Sequence, residues 1–167
     1  MFSDPIDAPS LLALETRVRD AWIDYNGHMN VAYYTLAFDL GVDRFYDLAG
    51  FGEDYKKRTG CSTFALEQHV TFQRELLRDA PIRISVQVLD HDTKRLHYFQ
   101  RMHHGEQGYL AATCEWVSLH VDTIQRRATP FPPEIQAGLA RLRAAHASLG
   151  MPAEHCTRMG LKRPRPA

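Results

Sequence analysis

The nine residues WIDYNGHMN, positions 22–30, crowd a carboxylate, two carboxamides and an imidazole in front of a long apolar-periodic segment. Asp24 is the group with the most chemical reach. A carboxylate there can act as a general base on water or attack an electrophilic carbon directly, and the residue types alone allow both. Asn26 and His28 are placed to orient the carboxylate, a water or a substrate oxygen. Gly27 gives the loop the backbone freedom to turn. Asn30 is a good N-cap for a helix starting at Val31, because its side-chain oxygen accepts from an otherwise unpaired first-turn amide. The amides left over, beginning with that of Val31, point into the polar cluster with about half a positive charge behind them, enough to favour a developing oxyanion. Taken alone, the same residues also suit an Asx-rich turn and a helix cap, which form for local hydrogen-bonding reasons.

The elements that must position these groups follow from periodicity. Tyr34, Phe38, Val42, Phe45 and then Leu48 or Ala49 recur at the three-and-four spacing of a helix with one buried face, ended by Gly50 and Gly52. Gly41 lies inside that helix, where it costs roughly 1 kcal/mol relative to Ala, so a close backbone neighbour is expected there. Residues 16–22 read as a first short strand, residues 1–14 as a lead-in marked by Pro5 and Pro9, and EDYKKRTG as a charged connector. Downstream the period becomes two. Phe64, Leu66, Val70 and Phe72 alternate with Thr63, Ala65, Glu67, His69 and Thr71, and Ile82, Ile84, Val86 and Val88 form a second run. Turns at DHDT and GEQG separate two more strands over 94–103 and 109–121. Pro130, Pro132 and Pro133 precede a helix with Ile135, Leu139 and Leu142 on one side, and residues 149–167, without apolar periodicity, read as a frayed tail. One strand, one long helix and a run of antiparallel strands make an α+β domain over residues 15–148 in which the sheet covers the helix.

Composition narrows the function classes. The chain has 167 residues, 20 basic and 20 acidic, which suits a single cored domain with no net field toward nucleic acid or an anionic membrane. No apolar run reaches the roughly 18 residues of a membrane span, and no basic stretch precedes an apolar one near residue 1, so a soluble cytoplasmic protein is expected. Cys61, Cys114 and Cys156 are far apart, and the nine histidines include no HxxxH or HxxEH spacing, so neither a disulfide framework nor a metal site is expected. Glu67 and His69 share a strand face without apolar neighbours, and Lys94 and Arg95 flank a turn; a solvated surface is the plain explanation for all four.

The Asp-x-Asn-x-His motif before a long helix and four strands resembles the hotdog-fold thioesterases of the 4-hydroxybenzoyl-CoA thioesterase group over residues 15–125. WIDYNGHMN, FALEQHVTF and KRLH are similar in particular to the thioesterases of carnitine breakdown that act on betainyl-CoA. Asn30-Val31 stands where many relatives carry an Asn-Asn pair. The resemblance implies an antiparallel sheet wrapped around one central helix, with a C-terminal helix added. It implies hydrolysis of an acyl-CoA thioester without a cofactor, coenzyme A being part of the substrate, and a site built from Asp24, Asn26, His28, Asn30 and the Val31 amide. It also implies a homodimer, or a tetramer, in which the Glu67 strand reaches the neighbouring site. Lys94 and Arg95 become candidates for the coenzyme A phosphates. Trp22, Tyr25 and Tyr33 beside the motif, together with Glu67, become candidates for a cationic acyl group. A non-catalytic acyl-CoA sensor is the alternative within the same fold, and a hydratase would need a different Asp/His arrangement.

Overall fold

A computed structural model describes residues 10–161. Helix α1, Val31–Leu48, begins where Asn30 caps it: the Asn30 side chain accepts from the Ala32 amide at 3.0 Å. Its buried face carries Tyr34, Ala37, Phe38, Gly41, Val42 and Phe45, the stripe that the spacing predicts. Gly41 is required by side chains rather than by a second backbone. A Cβ there would stand 2.9 Å from Gln100 Nε2 and 3.2 Å from Ile84 Cγ2. The missing methyl makes room for a polar bridge through the core. Gln100 donates to the Phe38 carbonyl at 3.1 Å and accepts from the Trp116 indole at 2.7 Å, so a buried amide is satisfied on both sides.

Five strands, β1 (Leu11–Arg17), β2 (Cys61–Phe72), β3 (Pro81–His91), β4 (Arg95–His104) and β5 (Leu110–Asp122), form an antiparallel sheet in the order β1-β3-β4-β5-β2, and a short β6 (Arg127–Ala128) adds to β5. The inner face presents Ile82, Ile84, Val86, Leu96, Tyr98, Met102, Cys114 and Trp116 to α1, all buried. Strand β2 ends the order and, among the described residues, is paired only with β5. Its alternation is broken by a bulge between Ala65 and Glu67. Phe64, opposite Leu119, and Phe72, opposite Ala112, therefore fall on different faces, and the single greasy face expected of this strand does not form.

Three further readings change. The first strand lies at 11–17, not 16–22, because Leu11 and Ala13 are the residues that reach the core, while Asp20–Trp22 is a 3-10 turn. Most of the expected lead-in lies outside the described residues. EDYKKRTG is not a connector but helix α2, Glu53–Thr59, with acidic residues in its first turn, basic ones in its last and Gly60 at φ 72° ending it. Tyr55 is its one buried side chain, with its hydroxyl bonded to His120 Nε2 at 3.0 Å. Finally, α3 (Pro133–His146) buries Ile135, Leu139 and Leu142 in the same core as α1, and the segment after it runs over the outer sheet face. Gln87 donates to the Gly150 carbonyl at 2.7 Å, and the Cys156 amide donates to Glu115, fully buried in the middle of β5, at 2.6 Å. The described part of the tail is thus held down by hydrogen bonds, and positions 162–167 of the expected frayed end lie outside the described residues.

Candidate active site

The motif forms a closed loop hung from its two ends. The Asn30 amide donates to the Trp22 carbonyl at 2.8 Å, the Asp24 amide to the His28 carbonyl at 3.1 Å, and the Gly27 amide to the Asp24 carbonyl at 3.0 Å, with Gly27 at φ 85° completing the turn. The loop is also tied to the chain after β2, through the Met29 amide to the Leu76 carbonyl at 2.8 Å and a bridge between His28 and Leu77. That tie brings residues 72–75 opposite Asp24.

The carboxylate is held at one end and open at the other. Asp24 Oδ1 accepts the Asn26 amide at 2.8 Å, and the Asn30 amide nitrogen reaches Oδ2 at 3.5 Å. Asn30 therefore links the carboxylate to the helix cap. Tyr33 and Ala32 donate their amides to Asn30, whereas the Val31 amide has no acceptor among the described residues. His28 Nδ1 donates to the Met29 carbonyl at 3.3 Å. A cavity of about 410 Å³ opens over these groups, lined by Asp24, His28, Met29, Asn30, Val31, Tyr34, Phe72, Gln73, Arg74 and Glu75. A carboxylate and a free amide at the positive end of a helix thus face one space, an arrangement that can polarise a carbonyl and deliver a nucleophile to it.

The second half of the cavity was not anticipated. Tyr34 reads as core and is buried, but its hydroxyl accepts the Leu76 amide at 3.1 Å at the cavity wall. Burial pushes its phenol up, the Leu76 bond pulls it back, and Tyr109 and Glu75 nearby push it up again, so it stays protonated. Phe72 meets Tyr34 edge to face, 5.2 Å between ring centroids. The Arg74 guanidinium is drawn 4.0 Å over the Tyr109 ring. Strand alternation gave no hint of Phe72, Arg74 or Glu75, because only the loop's tie to Leu76 brings them to Asp24.

The other sequence candidates lie elsewhere in the chain. Tyr25 stands at the loop tip, 97% exposed, and Tyr33 stacks on the buried Trp22 at 5.7 Å. Glu67 pairs with Val117 beyond the bulge, on the face turned away from α1. Lys94 and Arg95 sit at the opposite end of the sheet: Arg95 pairs with Leu119 and Phe72 with Ala112, seven positions apart on β5, or roughly 23 Å. Arg95 is engaged by Asp92 at 2.6 Å. Within one chain, Asp24, Asn26, His28, Asn30 and Val31 are brought together, whereas the side chains of Tyr33, Glu67, Lys94 and Arg95 do not line their cavity. Among the described residues no group of three or more His, Cys, Asp or Glu side chains is arranged to hold a metal ion, and no helix is long and apolar enough to cross a membrane.

Comparison with known proteins agrees with this geometry. The chain is 34% identical over 142 residues to a betainyl-CoA thioesterase of Pseudomonas aeruginosa, an alignment covering 85% of this chain and 89% of that one. It is 39% identical over 142 residues to an L-carnitine dehydrogenase/betainyl-CoA thioesterase of Ruegeria pomeroyi; the match takes in 85% of this chain but only 28% of that two-activity protein. In structure it is similar to a Staphylococcus aureus protein solved in complex with CoA, with a TM-score of 0.80 and 27% identity over 94% of this chain and 97% of that one. A DHNA-CoA thioesterase of the same species, at 15% identity and a TM-score of 0.73 over 83% of this chain and 94% of that one, shares the fold. With residues 18–139 matching the thioesterase-like superfamily, the chain belongs to that superfamily and is a hotdog-fold thioester hydrolase.

Proposed function

We propose that the substrate is an acyl-CoA and that Asp24, at the mouth of α1, carries its hydrolysis. The observation behind this reading is the Asp24 carboxylate sharing one cavity with the unpaired Val31 amide. The thioester carbonyl oxygen takes the Val31 amide, where the helix terminus stabilises the charge that grows as the carbonyl is attacked. Asp24 removes a proton from the attacking water, or attacks first and leaves a mixed anhydride for water to cleave. In either case a C–O bond forms, the C–S bond breaks, and coenzyme A departs as the thiol with a free acid left behind. Asn30 and Asn26 hold the carboxylate, and His28 bounds the cavity. No cofactor enters beyond the coenzyme A that the substrate carries.

The relatives named for betainyl-CoA support a short acyl group ending in a quaternary ammonium. The working unit is a cytoplasmic homodimer, in which the partner subunit's Glu67 comes to the site that one chain leaves open. The decisive assay is thiol release from a panel of acyl-CoA esters, with the betainyl ester expected to lead. Tight binding of these esters with no thiol released would mark a sensor and sink the proposal.

A further inference from the structure

The cavity has a second pole that the hydrolytic groups do not use. Phe72, 51% exposed, lines it, Tyr34 forms the wall behind it, and Glu75, exposed three residues past the end of β2, faces the same space. Among the described residues, the Glu75 side chain has no hydrogen-bond or ion-pair partner; its backbone carbonyl alone is used, by the Tyr109 hydroxyl at 3.0 Å. Aromatic surface beside an uncommitted carboxylate is what a cation unable to donate hydrogen bonds requires, since ring quadrupole and point charge attract it without directional bonds. The other charges facing this space are Asp24 and Arg74. Arg74 is the unfavourable one, and its stacking over Tyr109 draws its guanidinium onto that ring. Trp22 and Tyr33, stacked on each other, leave this task to other rings.

We infer that Tyr34, Phe72 and Glu75 set acyl specificity by receiving the quaternary ammonium of the acyl group, with the rings as its walls and the carboxylate as its counter-charge. This rests on the hydrolytic reading above and adds to it the residues that would discriminate one ester from another. The neutral comparison is 3,3-dimethylbutanoyl-CoA, which replaces the nitrogen of the betainyl group by carbon at the same size.

The experiment is the ratio of kcat/KM for betainyl-CoA to that for 3,3-dimethylbutanoyl-CoA in the wild type, Glu75→Gln, Phe72→Leu and Phe72→Tyr. A desolvated cation on aromatic and anionic partners corresponds to a wild-type ratio of roughly five to thirty. The ratio is expected to fall toward one in Glu75→Gln and Phe72→Leu and to recover in Phe72→Tyr, which keeps a ring. A packing role alone would lower both rates together and leave the ratio where it was, and that result overturns the assignment. So does a wild-type ratio above five that survives both substitutions, although hydrolysis of the betainyl ester would then still stand. A wild type that releases thiol from both esters equally removes the cationic substrate and these residues' role together, and a wild type releasing none removes the hydrolytic reading itself.

Discussion

At the scale of single residues, the site depends on how few groups compete for Asp24. One carboxylate oxygen is committed to the Asn26 amide and the other only to a long contact with Asn30, so the charge remains available to water or to a carbonyl. Replacing Asp24 with Asn keeps the size and the turn but removes the base, and kcat is expected to drop at least about a hundredfold with the unfolding midpoint nearly unchanged. Stopped-assay kinetics beside a urea curve test this, and a variant with near-normal turnover would remove Asp24 from the chemistry. Gly41 is the corresponding residue for the fold. Gly41→Ala gains roughly 1 kcal/mol of helix propensity, yet its methyl enters the space of the Gln100 amide at 2.9 Å. A net loss of about 1–2 kcal/mol in unfolding free energy is expected, since overpacking and a disturbed buried amide outweigh propensity. A stabilised variant would show that Gln100 can give way. Asp24, Asn30 and Val31 are legible in the sequence because a cap and a turn are local. Phe72 and Glu75 are not, because they reach the cavity through one backbone bond between Met29 and Leu76, far apart in the chain.

At the scale of elements, α1 and β3 are legible because each buries one periodic stripe, and β4 and β5 because turns bracket them, whereas the bulge in β2 splits its apolar side chains between two faces. The misreadings share another cause: α2 buries a single side chain, β1 places just Leu11 and Ala13 in the core, and the segment after α3 is held by polar contacts that leave no apolar period. Those polar contacts make stability depend on pH. Burial lowers the proton affinity of His120 and His146, both 1% exposed. His120 Nε2 accepts from Tyr55 and His146 Nδ1 from the Val88 amide, so both rings serve as neutral acceptors. Their folded pKa values lie below the unfolded value of about 6.5, so the fold binds fewer protons than the unfolded chain. Their contribution is present above that pH and is lost as pH falls through the folded values. The urea midpoint is therefore expected to drop between pH 7.5 and 5.5, each histidine contributing at most about 1.4 kcal/mol per pH unit. His146→Gln, which can still accept from Val88, should flatten the slope. A midpoint flat across this range in the wild type would show that both rings titrate as if exposed. Glu115 acts at lower pH. Burial alone would raise its carboxyl, but His97 and the Cys156 amide hold it below the usual carboxylate range, so its share is lost only in stronger acid.

At the scale of the whole molecule, strand β2 leaves the most open question of assembly. Its far edge has no strand against it among the described residues, and Phe64 and Leu66 on it are more than half exposed, at 53% and 56%. A twelve-residue edge of this kind invites a second chain unless it is blunted, and the bulge at Leu66 interrupts but does not cover it. The homodimer proposed above, if paired along β2, would cover those side chains and, by two-fold symmetry, serve both sites alike. Such a pairing would give Glu67, which one chain turns away from α1, a site to reach. The prediction is complementation: Asp24→Asn and Glu67→Ala subunits, each inactive alone, are unfolded together and refolded in equal amounts. Random pairing makes half the dimers mixed, and each mixed dimer holds one site with both native residues, so activity should return to about a quarter of wild type. Sedimentation should show the dimer at assay concentration. No recovery on mixing, with both variants folded and dimeric, would mean that Glu67 acts only within its own chain, a Glu67→Ala variant active by itself would mean that it has no role, and a fully active monomer would end the shared-site arrangement.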